Sequence, residues 1–199
     1  MWQNIKGCVY LRVIAGAKRG LKLFEFEGSD IRPTTDRVKE NIFNIISPYV
    51  YDSSVLDLFC GTGALSVESL SRGAKSAVLC DVCKKSLDLA KKNAVHAGFS
   101  DKCTFVLKNG LDFLCSTNCR FDIVFMDPPY NSGLAKKALE AVFEKDVLNE
   151  GAIVVLERDE PDAVKSDLAV LVKEKKYGRT HIGIYTKKTQ TAESGGNGE

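Results

Sequence analysis

From residue 54 to residue 157 the chain alternates short apolar segments with longer amphipathic ones, and this alternation constrains the fold more than any other feature. Between the short segments, apolar residues recur at the spacing of a helix. Strands that are nearly all apolar and are separated by helices form a parallel sheet covered on both faces. The sequence therefore predicts a doubly wound, Rossmann-like α/β domain with these parallel strands: VLDLF, SAVLC, CTFVL, FDIVFM and AIVVLE.

The C-terminal part departs from this alternation. LAVLVKEKKY and THIGIYTKK flank Gly178-Arg179, a pattern that predicts an antiparallel hairpin. With this hairpin the sheet has seven strands, five parallel and two closing the edge. We expect a main domain at 51–188 and a disordered tail at 189–199, where polar and small residues dominate.

The first 50 residues predict a separate small unit, assigned to 1–50. LRVIAG and LKLFEF, joined by a Lys-Arg-Gly turn, have the pattern of a β-hairpin. The following segment, RPTTDRVKENIFNIISPYV, predicts a helix with Asp36 in its first turn and Pro48 at its end. We expect this helix to pack on the main domain through residues at helical spacing: Val38, Ile42, Ile45, Ile46 and Tyr49.

The N-terminal hairpin is basic although the whole chain has a net charge of only +2. A basic patch on one small unit favours contact with a polyanion. The alternative is a solvated hairpin whose lysines protect its edge from aggregation. Between Tyr10 and Phe24 there is no acid, and the bases are Arg12, Lys18, Arg19 and Lys22.

Composition excludes several classes of protein. No apolar run approaches the roughly 18 residues of a membrane-spanning helix, and the N-terminus lacks the pattern of a signal peptide. The seven cysteines do not show the pattern of a small secreted protein. Cys80 and Cys83 have the spacing of one half of a zinc finger, but the sequence has no second pair at that spacing. We therefore expect a cytoplasmic protein with reduced and mostly buried thiols, no metal site and no membrane contact.

Polar side chains follow the first four predicted strands: Asp57, Asp81, Asn109 and Asp127. In doubly wound sheets, ligands bind beyond the carboxyl ends of the strands, where the strand order reverses. Because all four residues lie at such ends, the sequence predicts one crevice rather than scattered sites.

The loop after the first strand, DLFCGTGALS, indicates the kind of ligand. Gly61 and Gly63 permit a tight turn and a close approach of backbone to ligand. A dinucleotide fingerprint requires a third glycine, where this chain has Ser66. With Asp57 and the bulky Phe59 in the loop, a ligand with an ammonium group and a nucleoside is favoured over one with phosphates.

Two further strand ends fit a nucleoside, and each has an alternative. Asp81 stands where an acid commonly accepts hydrogen bonds from ribose hydroxyls, or it caps the next helix. Asn109 has an amide that can pair with an adenine edge, or it makes a turn.

The stretch Asp127-Pro128-Pro129-Tyr130 is the most informative of the strand ends. Each proline holds the residue before it extended, so the turn is stiff. The Asp127 carboxylate and the Pro128 carbonyl become two acceptors at a fixed separation, with the Tyr130 ring beside them. This arrangement suits a planar group that bears an exocyclic NH2, whose nitrogen is turned towards an electrophile. The alternative is a rigid connector without chemistry.

The chain resembles the S-adenosylmethionine-dependent amino methyltransferases of nucleic acids, and within them the bacterial RsmD family. That family methylates the N2 amine of a guanine in small-subunit (16S) ribosomal RNA. The similarity runs from about Leu11 to Lys187 and is carried by four stretches: RVIAGAKRGLKL, RPTTDRVKENIFN, VLDLFCGTGALSVESLSRGA and FDIVFMDPPY.

The resemblance implies a role for each candidate residue. Asp57, Phe59, Gly61 and Gly63 would hold the methionine end of S-adenosylmethionine, Asp81 its ribose and Asn109 its adenine. The target guanine would be held by Asp127 to Tyr130. The N-terminal hairpin and the segment from Arg32 to Arg37 would contact RNA and help to close the pocket. The residues expected to contact RNA are Arg12, Lys18, Arg19, Arg32 and Arg37.

Two positions depart from the family pattern. Cys83 stands where a second acid usually follows Asp81, and Asn109 stands where an Asp is common. The expected partner is small-subunit ribosomal RNA or a partly assembled small subunit, and nothing in the sequence demands more than a monomer. The alternatives are adenine-N6 methylation of RNA or DNA, an NAD-dependent oxidoreductase, and a non-catalytic RNA-binding module.

Overall fold

The computed structural model describes residues 11–26, 36–129, 133–159 and 163–188. Its helices are α1 (Asp36–Val50), α2 (Ala64–Ser71), α3 (Lys84–Ala97), α4 (Gly110–Ser116) and α5 (Leu134–Glu144). Its strands are β1 (Ser54–Asp57), β2 (Ser76–Asp81), β3 (Cys103–Leu107), β4 (Phe121–Met126), β5 (Leu148–Arg158), β6 (Ala169–Tyr177) and β7 (Thr180–Lys187). Short apolar runs became strands and amphipathic segments became helices, as the alternation predicts.

The strands form one sheet in the order β3-β2-β1-β4-β5-β7-β6. Strands β1 to β5 pair in parallel, and β7 runs antiparallel to both β5 and β6. The chain winds outwards from β1 to β3 and then returns to place β4 on the other side of β1. The prediction of a doubly wound sheet with a C-terminal antiparallel hairpin is confirmed.

Two apolar cores lie on opposite faces of this sheet. On one face, Val55, Phe125 and Val155 pack with α1, α2, α3 and the N-terminal hairpin. On the other face, Leu56, Val124 and other strand residues pack with α4 and α5. Because both faces of the central strands are buried, both sets of alternate side chains must be apolar, which accounts for the continuous apolar runs.

The strand register places four carboxyl groups on one face of the sheet at its C-terminal edge. Asp57, the last residue of β1, lies opposite Leu79 of β2 and Phe125 of β4, and Phe125 lies opposite Val155 of β5. Side chains alternate between faces with a period of two residues. Two residues further along the neighbouring strands, and on the same face, the chain therefore places Asp81, Asp127 and Glu157.

Residues 11–26 form the predicted hairpin, but in an irregular form. The hairpin has one isolated antiparallel bridge, Arg12 with Lys22, and a short 3₁₀ turn at Gly16–Lys18. Its Leu11 and Val13 are buried in the same core as α1 and α2. The division of the chain at residue 50 stays a prediction, and the hairpin packs directly on the main domain.

Glu68 of α2 anchors this hairpin. Its buried carboxylate accepts the backbone N–H groups of Ile14 at 2.7 Å and Ala15 at 3.0 Å. The same carboxylate pairs with Arg72 at 2.7 Å and with the fully buried Lys39 of α1 at 3.6 Å. Burial lowers the pKa of Lys39, while Glu68 opposes that shift. One buried acid thus joins the hairpin, α1 and α2.

Three expectations about single residues are wrong. Pro48 does not end α1, because the helix continues to Val50 with the proline in its last turn. Tyr49 is 46% exposed and does not share the buried face of Val38, Ile42 and Ile46. The thiols are not mostly buried either, because three of those in the described ranges are exposed: Cys83, Cys115 and Cys119.

Within the described ranges, no helix combines the length and the apolar character needed to cross a membrane.

Candidate active site

The loop between β1 and α2 is held against the neighbouring strands on both sides. The N–H of Leu58 donates to the carbonyl of Phe125 in β4 at 3.0 Å, and the N–H of Cys60 donates to the carbonyl of Cys80 in β2 at 3.0 Å. Gly63 has a φ of 73°, and a Cβ there would lie 2.9 Å from Leu79 Cδ2. The tight packing explains the need for glycine at this end of the loop.

Gly61 differs from Gly63 in what surrounds it. Its φ is 51°, and a Cβ there would meet no atom of the described residues within 4 Å. The space beside Gly61 is therefore open, which suits the close approach of a ligand to the loop backbone.

Asp57 lies at the bottom of the crevice and is almost fully buried. Its pKa is raised to about 7, chiefly by burial; the hydrogen bond from Ser66 opposes the rise, and the carboxylates of Asp127 and Asp81 contribute to it. That bond joins Ser66 Oγ to Asp57 Oδ2 at 2.8 Å. Ser66, where a dinucleotide fingerprint has its third glycine, thus orients the acid. A buried carboxyl in this state is a suitable partner for a ligand's ammonium group.

Asp81 connects the glycine loop to the end of β2. Its carboxylate accepts the N–H of Gly61 at 3.0 Å through one oxygen and the N–H of Cys83 at 2.8 Å through the other. The alternative of a capping role is wrong, because the N-cap of α3 is Cys83, with no side-chain cap, and Asp81 accepts the N–H of that residue instead. Each carboxylate oxygen has a second lone pair, so both retain capacity to accept ribose hydroxyls. Cys83 is exposed just before α3 and contributes its backbone N–H here.

Phe59 and the start of α4 lie side by side. The Asn109 side chain caps α4 by accepting the N–H of Leu111 at 2.9 Å. A Cβ on the next residue, Gly110, would lie 3.3 Å from the Phe59 ring. The structure thus realises the turn-forming alternative for Asn109, while its exposed position beside Phe59 is compatible with contact to an adenine.

The Asp127-Pro128-Pro129 turn follows β4 directly, on the strand that neighbours the glycine loop. Pro128 is buried and Pro129 is exposed. Burial raises the pKa of Asp127 well above its usual value, and the nearby Glu157 carboxylate raises it further. Tyr130, expected to stack on the base, lies outside the described residues.

Glu157 is a residue of this crevice that the sequence analysis missed. It is only 6% exposed and stands on β5, one strand further along the edge than Asp127. The signal was present, because AIVVLE has an acid at its end, just as Asp57, Asp81 and Asp127 stand at or directly after the ends of β1, β2 and β4.

Asn93 of α3 was also missed. Its buried amide donates to the carbonyls of Thr62 at 2.9 Å and Phe24 at 3.1 Å, and it accepts the N–H of Phe24 at 2.7 Å. One side chain therefore links the hairpin to the glycine loop. A single amide in a helix carries no pattern that would reveal this role.

The basic residues are spread over two regions. Arg12 is exposed and pairs with Asp36 at 2.7 Å, close to the exposed Arg37 at the start of α1. The N–H of Lys18 donates to Ser71 Oγ at 2.9 Å, at the end of α2 that is opposite the glycine loop. Lys18 and its exposed neighbour Arg19 therefore lie away from the crevice. Arg32 lies outside the described residues.

Among the described residues there is no group of three or more His, Cys, Asp or Glu placed to hold a metal ion.

Comparison with known proteins places this fold and crevice in a family. A family model described as "Conserved hypothetical protein 95" matches residues 11–186. The chain is 37% identical over 187 residues to "Ribosomal RNA small subunit methyltransferase D" of Haemophilus influenzae, covering 92% of this chain and 95% of that protein. It is 32% identical over 191 residues to the protein of the same name from Escherichia coli K12, covering 94% of this chain and 95% of that protein.

A solved structure supports the same assignment. A putative methyltransferase from Escherichia coli has a TM-score of 0.80 to this fold and 28% sequence identity, covering 91% of this chain and 99% of that chain. The residues matched by the family model, 11–186, include the four stretches that carry the resemblance. The chain therefore belongs to this family, the RsmD family of ribosomal RNA small subunit methyltransferase D proteins.

Proposed function

We propose that this protein transfers a methyl group from S-adenosylmethionine to the exocyclic N2 amine of a guanine in small-subunit ribosomal RNA. The observation that carries the proposal is the stiff Asp127-Pro128-Pro129 turn on β4, beside the glycine loop of β1. The relatives named ribosomal RNA small subunit methyltransferase D support ribosomal RNA as the substrate. Bacterial subunits are assembled in the cytoplasm, so we place the reaction there.

The residues of the crevice fit S-adenosylmethionine. Asp57 is a buried carboxyl suited to the ammonium group, Gly61 borders open space, and Asp81 retains acceptor capacity for ribose hydroxyls. Asn109 and Phe59 would border the adenine. When bound, the cofactor supplies an electrophilic methyl group on a sulfonium centre.

The chain's own contribution is to position the amine and accept its hydrogens. The Asp127 carboxylate accepts one amine N–H and the Pro128 carbonyl the other, which directs the nitrogen lone pair towards the methyl group. Tyr130 stacks on the base. The two prolines hold both acceptors in place before the substrate arrives, so little reorganisation is needed during transfer.

The structure adds reasons against two of the alternatives. An NAD-dependent oxidoreductase needs the loop to receive a pyrophosphate, whereas Ser66 here holds the Asp57 carboxyl beneath it. A binding module has no use for two acceptors held at a fixed separation. Adenine-N6 methylation would use the same turn, so the two bases are distinguished only by identifying the methylated nucleoside.

The test is methyl transfer from labelled S-adenosylmethionine to small-subunit RNA taken from a strain that lacks the gene. The RNA is supplied both naked and as partly or fully assembled subunits, and the product nucleoside is identified by mass spectrometry. N2-methylguanosine is the expected product, and N6-methyladenosine would overturn the choice of base. No transfer to either form would favour the binding module. Light scattering during the same assay tests the expectation of a monomer.

A further inference from the structure

Methyl transfer to an amine leaves a proton to be removed. As the nitrogen–carbon bond forms from the nitrogen lone pair, the carbon–sulfur bond breaks and its electron pair stays on sulfur. The nitrogen then carries four bonds and a positive charge, and it becomes neutral only when one of its hydrogens leaves as a proton. A base at the amine is therefore an asset to the reaction.

Asp127 is placed to be that base, and Glu157 is placed beside it. Strands β4 and β5 pair in parallel with Met126 opposite Leu156. The residues that follow this pair are Asp127, directly after the end of β4, and Glu157, still within β5. Neighbouring strands lie about 4.8 Å apart, and residues at the same level project to the same face. The two carboxyl groups are therefore neighbours on the face that carries the crevice.

The surroundings of this pair strengthen the interaction between the two charges. Glu157 is only 6% exposed. The residues two positions earlier on the same face, Phe125 and Val155, are paired with each other and are buried in the apolar core. Charges interact more strongly at such a site than in water. The next residue, Arg158, donates to Glu174 on β6.

We propose that Glu157 is a positioning residue for this reaction, whose charge keeps Asp127 basic enough to take the proton that the amine loses. The inference rests on the proposed methyl transfer and adds to it a residue that acts through Asp127. The proton passes from the nitrogen to the Asp127 carboxylate and from there to solvent, so no further reactant is needed.

The direction of the effect follows from the charges around Asp127. A negative neighbour disfavours a second negative charge, so Glu157 raises the pKa of Asp127. The Asp127 carboxylate in turn raises the pKa of Asp57 on β1, so these two like charges also repel each other. Removal of the Glu157 charge should therefore make Asp127 a stronger acid and a weaker base.

The first test is the pH dependence of the single-turnover rate, measured at saturating cofactor so that the titration of Asp57 does not limit binding. In Glu157→Gln, the acidic limb of the profile should move to lower pH. The rate on the plateau should fall about threefold, since a weaker base accepts the proton less readily. Glu157→Asp keeps the negative charge, so the acidic limb of its profile should lie at the same pH as in the wild type.

The matched control is Glu150→Gln, the same substitution on the same strand but at its exposed, N-terminal end. It should leave the profile unchanged. A Glu157→Gln enzyme with the wild-type limb and plateau would overturn the inference and leave the proposed function intact. Absence of transfer by the wild-type protein would overturn the proposed function itself, and the inference with it.

A second measurement does not need turnover. Carbon-detected NMR of the side-chain carboxyls, with Asp127 assigned through Asp127→Asn, gives its titration midpoint in the protein alone. The midpoint should fall in Glu157→Gln and stay in place in Glu157→Asp and Glu150→Gln. An unchanged midpoint in Glu157→Gln would overturn the inference whatever the rates show.

Discussion

At the scale of single residues, Asp127 has the most direct role in the proposed reaction. Asp127→Ala removes the acceptor for one amine hydrogen, and the rate should fall at least about 100-fold, the effect of removing one preorganised partner of a reacting group. Cofactor affinity, measured by calorimetry, should stay near the wild-type value because Asp57 and Asp81 are untouched. Asp146→Ala, at an exposed acid paired with Arg120, is the control. A variant at Asp127 with normal turnover would contradict the mechanism.

Asp57 should make stability depend on pH. Its pKa is raised to about 7 in the folded protein, against roughly 3.9 in the unfolded chain. The folded state therefore binds the proton more tightly, and the stabilisation is fully present below about pH 4 and is lost as pH rises through about 7. Thermal melts from pH 5 to 8.5 should show this loss in the wild type and less of it in Asp57→Asn.

The cofactor should reverse this trend if its ammonium group meets Asp57. A nearby cation favours the charged carboxylate, so the gain in melting temperature on adding S-adenosylmethionine should be larger at pH 8 than at pH 6. Asp57→Asn should abolish the difference. An equal gain at both values in the wild type would place the ammonium group elsewhere.

Substitution of the two glycines of the loop by alanine should affect different properties, stability for Gly63 and cofactor binding for Gly61. Gly63→Ala brings a Cβ within 3.0 Å of Leu79 and Ala90 at a positive φ, so it should lower the free energy of unfolding by more than about 1 kcal/mol. Gly61→Ala meets no protein atom and should cost less stability. It should instead weaken cofactor binding, since its methyl group enters the space left for the ligand. Denaturant titrations and calorimetry separate the two effects, and equal losses of stability would contradict the packing argument.

At the scale of elements, the hairpin depends on one helix. Glu68→Ala removes the acceptor of two backbone N–H groups and leaves Lys39 buried without its acid. Breaking a buried pair in this way costs about 3–5 kcal/mol, measurable by denaturant unfolding. Hydrogen exchange at Ile14 and Ala15 should accelerate, because these amides lose their partner.

The control for Glu68 is an ion pair of the same spacing on the surface. Lys84 and Asp88 of α3 are four residues apart, like Glu68 and Arg72, but both side chains are exposed. Asp88→Ala should change the free energy of unfolding by at most about 0.5 kcal/mol. If Glu68→Ala lowered the free energy of unfolding as little as Asp88→Ala does, the hairpin would be held by its apolar side chains alone.

At the scale of the whole molecule, the basic turn of the hairpin and the crevice lie at opposite ends of α2, about 10 Å apart along the helix. If Lys18 and Arg19 contact RNA, they bind it away from the reacting base, whereas Arg12 would bind it beside the start of α1. The triple change to Ala should raise KM for RNA, flatten the salt dependence of binding and leave kcat nearly unchanged. Removing three exposed lysines elsewhere, Lys136, Lys137 and Lys145, is the matched control. A salt slope equal to that of the wild type would show that the hairpin does not touch phosphate.

The elements themselves could be predicted from the sequence because their signals are local. The strand β4 has the bounds that its apolar pattern FDIVFM predicts, at Phe121–Met126. The end of α1 could not be predicted, because packing in the core holds its last turn despite Pro48. Tyr49 has helical spacing with the buried residues, but its side chain is 46% exposed, so it is not covered by the elements that the structure describes.

The sequence by itself determined which residues end the strands and which of them are chemically unusual, because a turn's stiffness and a strand's burial are properties of a few adjacent residues. Only the tertiary structure decided that Asp57, Asp81, Asp127 and Glu157 share one face, that Ser66 orients Asp57 and that Glu68 holds the hairpin. These relations depend on strand order and register. Both are set by the packing of residues far apart in the chain, to which no local pattern is sensitive.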